Sequence, residues 1–100
     1  MIEVYQGDTQ EWRWKLTRSG TPLPSDELSG ATAVLDIPGL GISNASLAIY
    51  ADSDYPFVYE PSKSDTQDVE GTYIGYITVT FADGDIETWP VTIKVHKKEA

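Results

Sequence analysis

From Glu11 to Thr17 apolar and polar residues alternate, with Trp12, Trp14 and Leu16 on one side and Glu11, Arg13, Lys15 and Thr17 on the other. A period of two marks a half-buried strand, because successive side chains of a strand point to opposite faces. Ala31, Ala33, Leu35 and Ile37 repeat the pattern against Thr32, Val34 and Asp36. They predict a second strand, which Pro38 and Gly39 end because proline brings no N–H to a ladder. The clearest strand runs from Thr72 to Phe81, with Tyr73, Ile77, Val79 and Phe81 on one face and Thr72, Ile74, Tyr76, Thr78 and Thr80 on the other. Both faces carry apolar groups, as a central strand does. Ala82-Asp83-Gly84-Asp85 then predicts a tight hairpin, since Asp-Gly tolerates positive φ. Ile86 to Val95 is the returning partner, with Trp89, Val91, Ile93 and Val95 on one face. Ile86 breaks that parity and Pro90 lacks a donor, so a bulge or an edge position is expected near Trp89-Pro90.

Between these strands the pattern is weaker. Arg18 to Asp26 gathers Gly, Ser, Asp and two prolines and reads as an exposed loop. Ser46 to Tyr50 and Phe57 to Glu60 read as short strands separated by the acidic Asp52-Ser53-Asp54-Tyr55-Pro56. Ser62 to Asp68 is polar, with room for one helical turn capped by Ser62 or Ser64. About seven short strands and no helix with an apolar face predict one all-β sandwich domain over residues 1–100.

Charge narrows the partners. Sixteen Asp and Glu against seven Lys and Arg give the 100-residue chain a net charge of -9, which repels polyanions and so argues against nucleic acid and anionic membranes. With no cysteine there is neither a disulfide framework nor a thiolate metal site. No apolar run approaches the roughly 20 residues of a membrane span, and Met1 to Tyr5 lacks the basic start of a secretory signal, so synthesis in the cytoplasm is expected. The sole histidine, His96, lies beside Lys97 and Lys98 near the end of the chain and reads as a solvated tail residue, a poor mount for a catalytic triad. No spacing among the carboxylates singles out a glycosidase pair. Asp52-Ser53-Asp54 and Asp83-Gly84-Asp85 have the ligand type calcium prefers, yet turns ask for the same residues. Asn44-Ala45-Ser46 matches a glycosylation sequon and reads as loop. No catalytic residue, metal ligand or cofactor is therefore expected.

The candidate functional residues are aromatic and basic. Trp12 and Trp14 share a face with Leu16, which predicts that at least one of them is core. Ile74 and Tyr76 stand opposite the apolar face of their strand and are the first interface candidates. Tyr55, Tyr59 and Tyr76 are candidates for a platform on which a sugar ring could stack. Six of the seven cations fall at Arg13, Lys15, Arg18, Lys94, Lys97 and Lys98, leaving Lys63 alone in the acidic middle. If the first long strand neighbours the last, these six cations join one basic patch able to dock the acidic body of another copy, with Arg13, Lys15 and Lys94 as its interface candidates.

Five short blocks in order carry a resemblance: Gln6-Gly7-Asp8-Thr9, Gly20-Thr21-Pro22, Leu28-Ser29-Gly30-Ala31-Thr32-Ala33-Val34, Gly71-Thr72-Tyr73 and Phe81-Ala82-Asp83-Gly84-Asp85-Ile86-Glu87-Thr88-Trp89-Pro90. Together they resemble the N-terminal domain of tailed-phage baseplate upper proteins. The resemblance implies an immunoglobulin-like β-sandwich of about seven antiparallel strands. It further implies a non-enzymatic virion component of the tail or baseplate, made in the bacterial host cytoplasm. Its expected partners are other phage structural proteins, and copies of itself as a homo-oligomer in the virion. Neck and capsid-decoration positions are alternatives, as is a small carbohydrate-binding module.

Overall fold

The computed structural model describes residues 2–98. The strands are β1 (Ile2–Tyr5), β2 (Trp12–Trp14), β3 (Thr17–Arg18), β4 (Thr21–Pro22), β5 (Thr32–Ile37), β6 (Ile42–Ile49), β7 (Phe57–Tyr59), β8 (Gly71–Thr80) and β9 (Ile86–His96). Two single helical turns, α1 (Ser25–Leu28) and α2 (Lys63–Thr66), fill connections, and a 3₁₀ turn spans Pro38–Leu40. Seven strands form one ladder in the order β1-β9-β8-β5-β6-β7-β2. The ladder becomes a sandwich at β6, which pairs with β5 from Ile42 to Leu47 and with β7 at Ala48 and Ile49. A strand shared between sheets is how a sheet turns a corner. The two layers, β1-β9-β8-β5-β6 and β6-β7-β2, enclose one core, in which Leu35, Ile37, Phe57, Ile77 and Ile93 are fully buried. The chain is an all-β sandwich, with one departure from an all-antiparallel ladder: β1 runs parallel to β9, from Ile2 beside Ile93 to Tyr5 beside His96.

β5, β8 and β9 are strands as expected, with their apolar faces inward, whereas of the strand expected over Glu11 to Thr17 only Trp12–Trp14 forms, Leu16 still being buried. The β8–β9 register is uninterrupted from Gly71 opposite Val95 to Thr80 opposite Ile86, so no bulge forms at Trp89-Pro90. Pro90 is instead an edge residue. β1 covers β9 only from Ile93 to His96, leaving the β9 segment around Pro90 with β8 as its one neighbour, where a missing N–H is harmless. The ladder does bulge between β5 and β6, where the register shifts between Leu35 and Ile37. Asn44 takes φ 50° there, and the Asp36 carboxylate accepts its N–H at 2.8 Å.

Two weak segments differ from expectation. Arg18 to Asp26 is not simple loop: Ser19 and Gly20, both at positive φ, turn β3 into β4, and α1 follows. The strand expected over Ser46 to Tyr50 begins earlier, at Ile42. Pro38 and Gly39 end β5 through the 3₁₀ turn, and Gly41 at φ 71° passes the chain to β6. The polar segment after Pro61 does form one turn, with Ser62 as its N-cap, and the Asp65 carboxylate accepts the Ser62 N–H at 2.9 Å. That turn is tied to the sheet: Thr66, fully buried, accepts the Gly7 N–H at 2.9 Å, and the Gln6 amide donates to the Val69 carbonyl at 2.8 Å.

Candidate functional site

The inward residues of β8 and β9 build the core, so their alternate residues must face out. On the five-stranded layer the outward positions, with those of β1, carry Tyr5 (55% exposed), Ile74 (62%), Tyr76 (48%) and Ile86 (65%), four of the six large apolar side chains left exposed among the described residues. Tyr50 and Tyr55 are the other two, in and beside the β6–β7 loop. Single exposed apolar residues are ordinary, but several on one sheet face mark an interaction surface. Threonines fill the space between them. Thr32 pairs with Thr80 and Thr78 with Thr88, and the Thr78 and Thr88 hydroxyls lie 3.4 Å apart. The outer face is therefore an apolar and hydroxyl-bearing plane, and Asp36 and Lys94 are the charged residues among the outward positions of β5, β8 and β9 up to Lys94.

Ile74, Tyr76 and Lys94 of the expected interface set do share this face: Lys94 stands opposite Thr72, and Ile74 opposite Thr92. Arg13 and Lys15 do not join them. β2 and β9 are near opposite ends of the ladder, so the basic patch expected from neighbouring first and last strands is not assembled. Arg13 pairs with Glu11 at 3.4 Å and its guanidinium lies over the Tyr50 ring at 5.9 Å, while the Lys15 ammonium lies over Tyr55 at 5.7 Å. Arg18 is held elsewhere again, at the start of β9, by Glu87 at 2.6 Å and Glu27 at 3.1 Å. Beside Arg18 an open hollow of about 330 Å³ is lined by Asp26, Glu27, Phe81, Asp83 and Glu87. Two of its carboxylates are already bound to Arg18.

The three tyrosines proposed as one sugar platform lie apart. Tyr76 is on the outer face, Tyr55 is in the β6–β7 loop under Lys15, and Tyr59 packs against Trp12 with ring centroids 5.3 Å apart. The Tyr59 hydroxyl donates to Asp65 at 2.8 Å. Burial, followed by that bond to a carboxylate, pushes its pKa from 10 up to about 12. An acid whose pKa is raised on folding stabilises the folded state below its unfolded value, and the contribution fades as pH rises through the folded one. Stability is thus expected to fall between about pH 10 and pH 12, and Tyr59→Phe is expected to flatten that part of the curve. Denaturant titrations at several alkaline pH values measure it, and an unchanged slope in Tyr59→Phe would refute the assignment.

Trp12 and Trp14 are both buried, at 1% and 8%, and belong to the core rather than to a ligand platform. His96 is not a solvated tail residue. It closes β9, its Nε2 lies 3.0 Å from a Glu3 oxygen, and its ring sits 5.3 Å from that of Tyr5. The parallel pairing of β1 with β9 creates this contact, which no local pattern announces. Both Asp-x-Asp elements are turns: Asp83 accepts the Asp85 N–H at 3.0 Å, and Ser53 accepts the Tyr55 N–H at 3.2 Å. Among the described residues no three His, Cys, Asp or Glu side chains gather as a metal site would require. Sequence reading missed Tyr5 as a member of the outer face. Its signal was present in the alternation of Glu3 and Tyr5 against Val4, but the strand is only four residues long.

No protein-family model matches the chain, and no curated protein matches it either. Among solved structures, it is similar to the crystal structure of CopC from Methylosinus trichosporium OB3b. The likeness covers 100% of this chain and 89% of that one, at 12% identity and a TM-score of 0.44. A likeness of that degree carries no argument about function.

Proposed function

We propose that the chain is a non-enzymatic structural component of a bacteriophage virion, placed in the tail or baseplate and acting through protein–protein contacts. The observation that carries this reading is the outer face of the five-stranded layer, which leaves Ile74, Tyr76, Ile86 and Tyr5 open to a partner, with Asp36 and Lys94 the charged residues among the outward positions of β5, β8 and β9 up to Lys94. Interface centres have this composition, depleted in charge and enriched in aromatic and aliphatic groups. The phage setting is supported by the five ordered sequence blocks, each of which contains a glycine at positive φ, from 76° at Gly30 to 115° at Gly71. Recurrence of such blocks has a physical basis, since turns with left-handed backbone restrict the residue type far more than strand positions do.

Immunogold labelling of phage particles with antibody against the purified chain tests the reading. Label at the tail tip is the expected result. Label confined to the head or neck would move the chain to a decoration or connector position, and particles free of label would overturn the structural role.

A further inference from the structure

We propose that the outer face of β5, β8 and β9 is the interface of a two-fold homodimer, in which Lys94 of each copy pairs with Asp36 of the other. The ladder register carries the inference. Lys94 lies on β9 opposite Thr72, and Asp36 lies on β5 opposite Tyr76. These charges of opposite sign therefore stand two residues to either side of Ile74 and on the strands to either side of β8. With strands ~4.8 Å apart and a rise of ~3.4 Å per residue, they are separated by about 17 Å, with Ile74 at the midpoint. A two-fold axis in the interface plane through Ile74, perpendicular to the line joining the two charges, sets each lysine against the other copy's aspartate and packs the most exposed large apolar side chain of β8 against its own symmetry mate.

Electrostatics favours this surface over others for self-contact. Each copy carries a net charge of -9, so two copies repel wherever carboxylates meet. This face brings one carboxylate and one ammonium per copy. Among the described residues Lys94 takes part in no ion pair, and Asp36 spends one oxygen on the Asn44 N–H. Glu3, level with Lys94 on β1, is engaged by His96. The face is of modest size: β5, β8 and β9 hold 6, 10 and 11 residues, which at ~3.4 Å by ~4.8 Å each cover about 440 Å² in projection, the scale of a small, weak interface rather than the ~800 Å² per partner of a standard one. Joining edge to edge through the open part of β9 is disfavoured, because Pro90 has no N–H to give a new neighbour.

Sedimentation equilibrium of the full chain, from about 1 µM to about 1 mM, tests the proposal with charge-reversal variants. A dimer is expected, and Lys94→Asp and Asp36→Lys are each expected to weaken it by about 10-fold or more. Combined in one chain, the two substitutions should bring association back toward the unsubstituted level. They are too far apart within one copy to pair there, so recovery reports contact between copies. Because Asp36 also holds the Asn44 N–H, a second variant leaves it intact. The chain has no cysteine, and Ile74→Cys is expected to give a disulfide-linked dimer on mild oxidation, whereas Thr32→Cys, away from the axis, forms no cross-link, as a non-reducing denaturing gel of each oxidised chain reads. A chain that remains monomeric throughout the range overturns the proposal, as does a folded double variant without recovery or an Ile74→Cys chain that does not cross-link. The outcome is separable from the virion reading: particles labelled by antibody with a monomeric purified chain sink the dimer alone, and a dimer absent from particles sinks the virion role alone.

Discussion

Gly75→Ala is expected to cost about 3 kcal/mol of stability and to lower the melting temperature by roughly 12–24 °C. Gly75 faces inward from the middle of β8, close beside the end of β5, its neighbour in the sheet. A Cβ at this position would lie 2.5 Å from Ile37 Cγ1 and closer still to the Asp36 carbonyl oxygen. The carbonyl is backbone held in the β5–β8 ladder, and Ile37 is fully buried, so neither neighbour has room to yield. The strain would pry apart the strands that carry Tyr76 and Asp36, so the outer face would be disturbed together with the core. Thermal unfolding followed by circular dichroism measures the effect. A melting temperature within about 3 °C of the unsubstituted chain would show that the two strands separate more easily than their packing implies.

Trp12→Ala is the second large loss, expected to cost about 3–5 kcal/mol. Trp12 is 1% exposed and sits where β2 closes the smaller layer, edge-on to Trp14 with centroids 6.3 Å apart and against Tyr59 at 5.3 Å. Alanine would leave a cavity under a strand of only three residues that has β7 as its ladder neighbour. A milder variant separates size from polarity. The Trp12 Nε1 is buried without a hydrogen-bond partner, and an orphan donor of this kind costs about 1–3 kcal/mol. Trp12→Phe removes that donor while keeping an aromatic ring, and should destabilise by well under half as much as Trp12→Ala. Denaturant midpoints of the two variants decide it, and equal losses would mean that a phenyl ring in the site recovers nothing, so that the indole's own contacts govern it. Trp89 offers the contrast, since its Nε1 donates to the Thr17 carbonyl at 2.9 Å and pins the β3–β4 hairpin to β9.

The parts of the fold legible in sequence share one property: each is decided by residues within a few positions of one another. Alternation in β2, β5, β8 and β9 gave correct inward faces, because the pleat fixes side-chain direction whatever the partner strand is. The Asp83-Gly84 hairpin and the Ser62 cap were legible for the same reason, being local hydrogen-bond solutions. Segments misread were those whose structure depends on distant contacts. Ser19 adopts positive φ within a two-residue turn whose small hairpin is anchored through Trp89 and Arg18 to β9. Pro90 reads equally as bulge or edge until one knows where β1 stops.

The candidate site divides along the same line. Ile74 and Tyr76 were identifiable as outward residues from their own strand, and Lys94 follows from the parity of β9. Sequence by itself determined that this is a sandwich of short alternating strands, strongly acidic and without cysteine, whose most regular strand bears apolar groups on both faces. Only the tertiary structure decided that one of those faces stays open, that Arg13 and Lys15 lie apart from Lys94, and that Asp36 and Lys94 flank Ile74. The physical reason is that a strand's two faces are set by its own backbone. Which face is covered, and what stands beside it, is set by strand order, the product of loop closures and packing that join residues far apart in the chain.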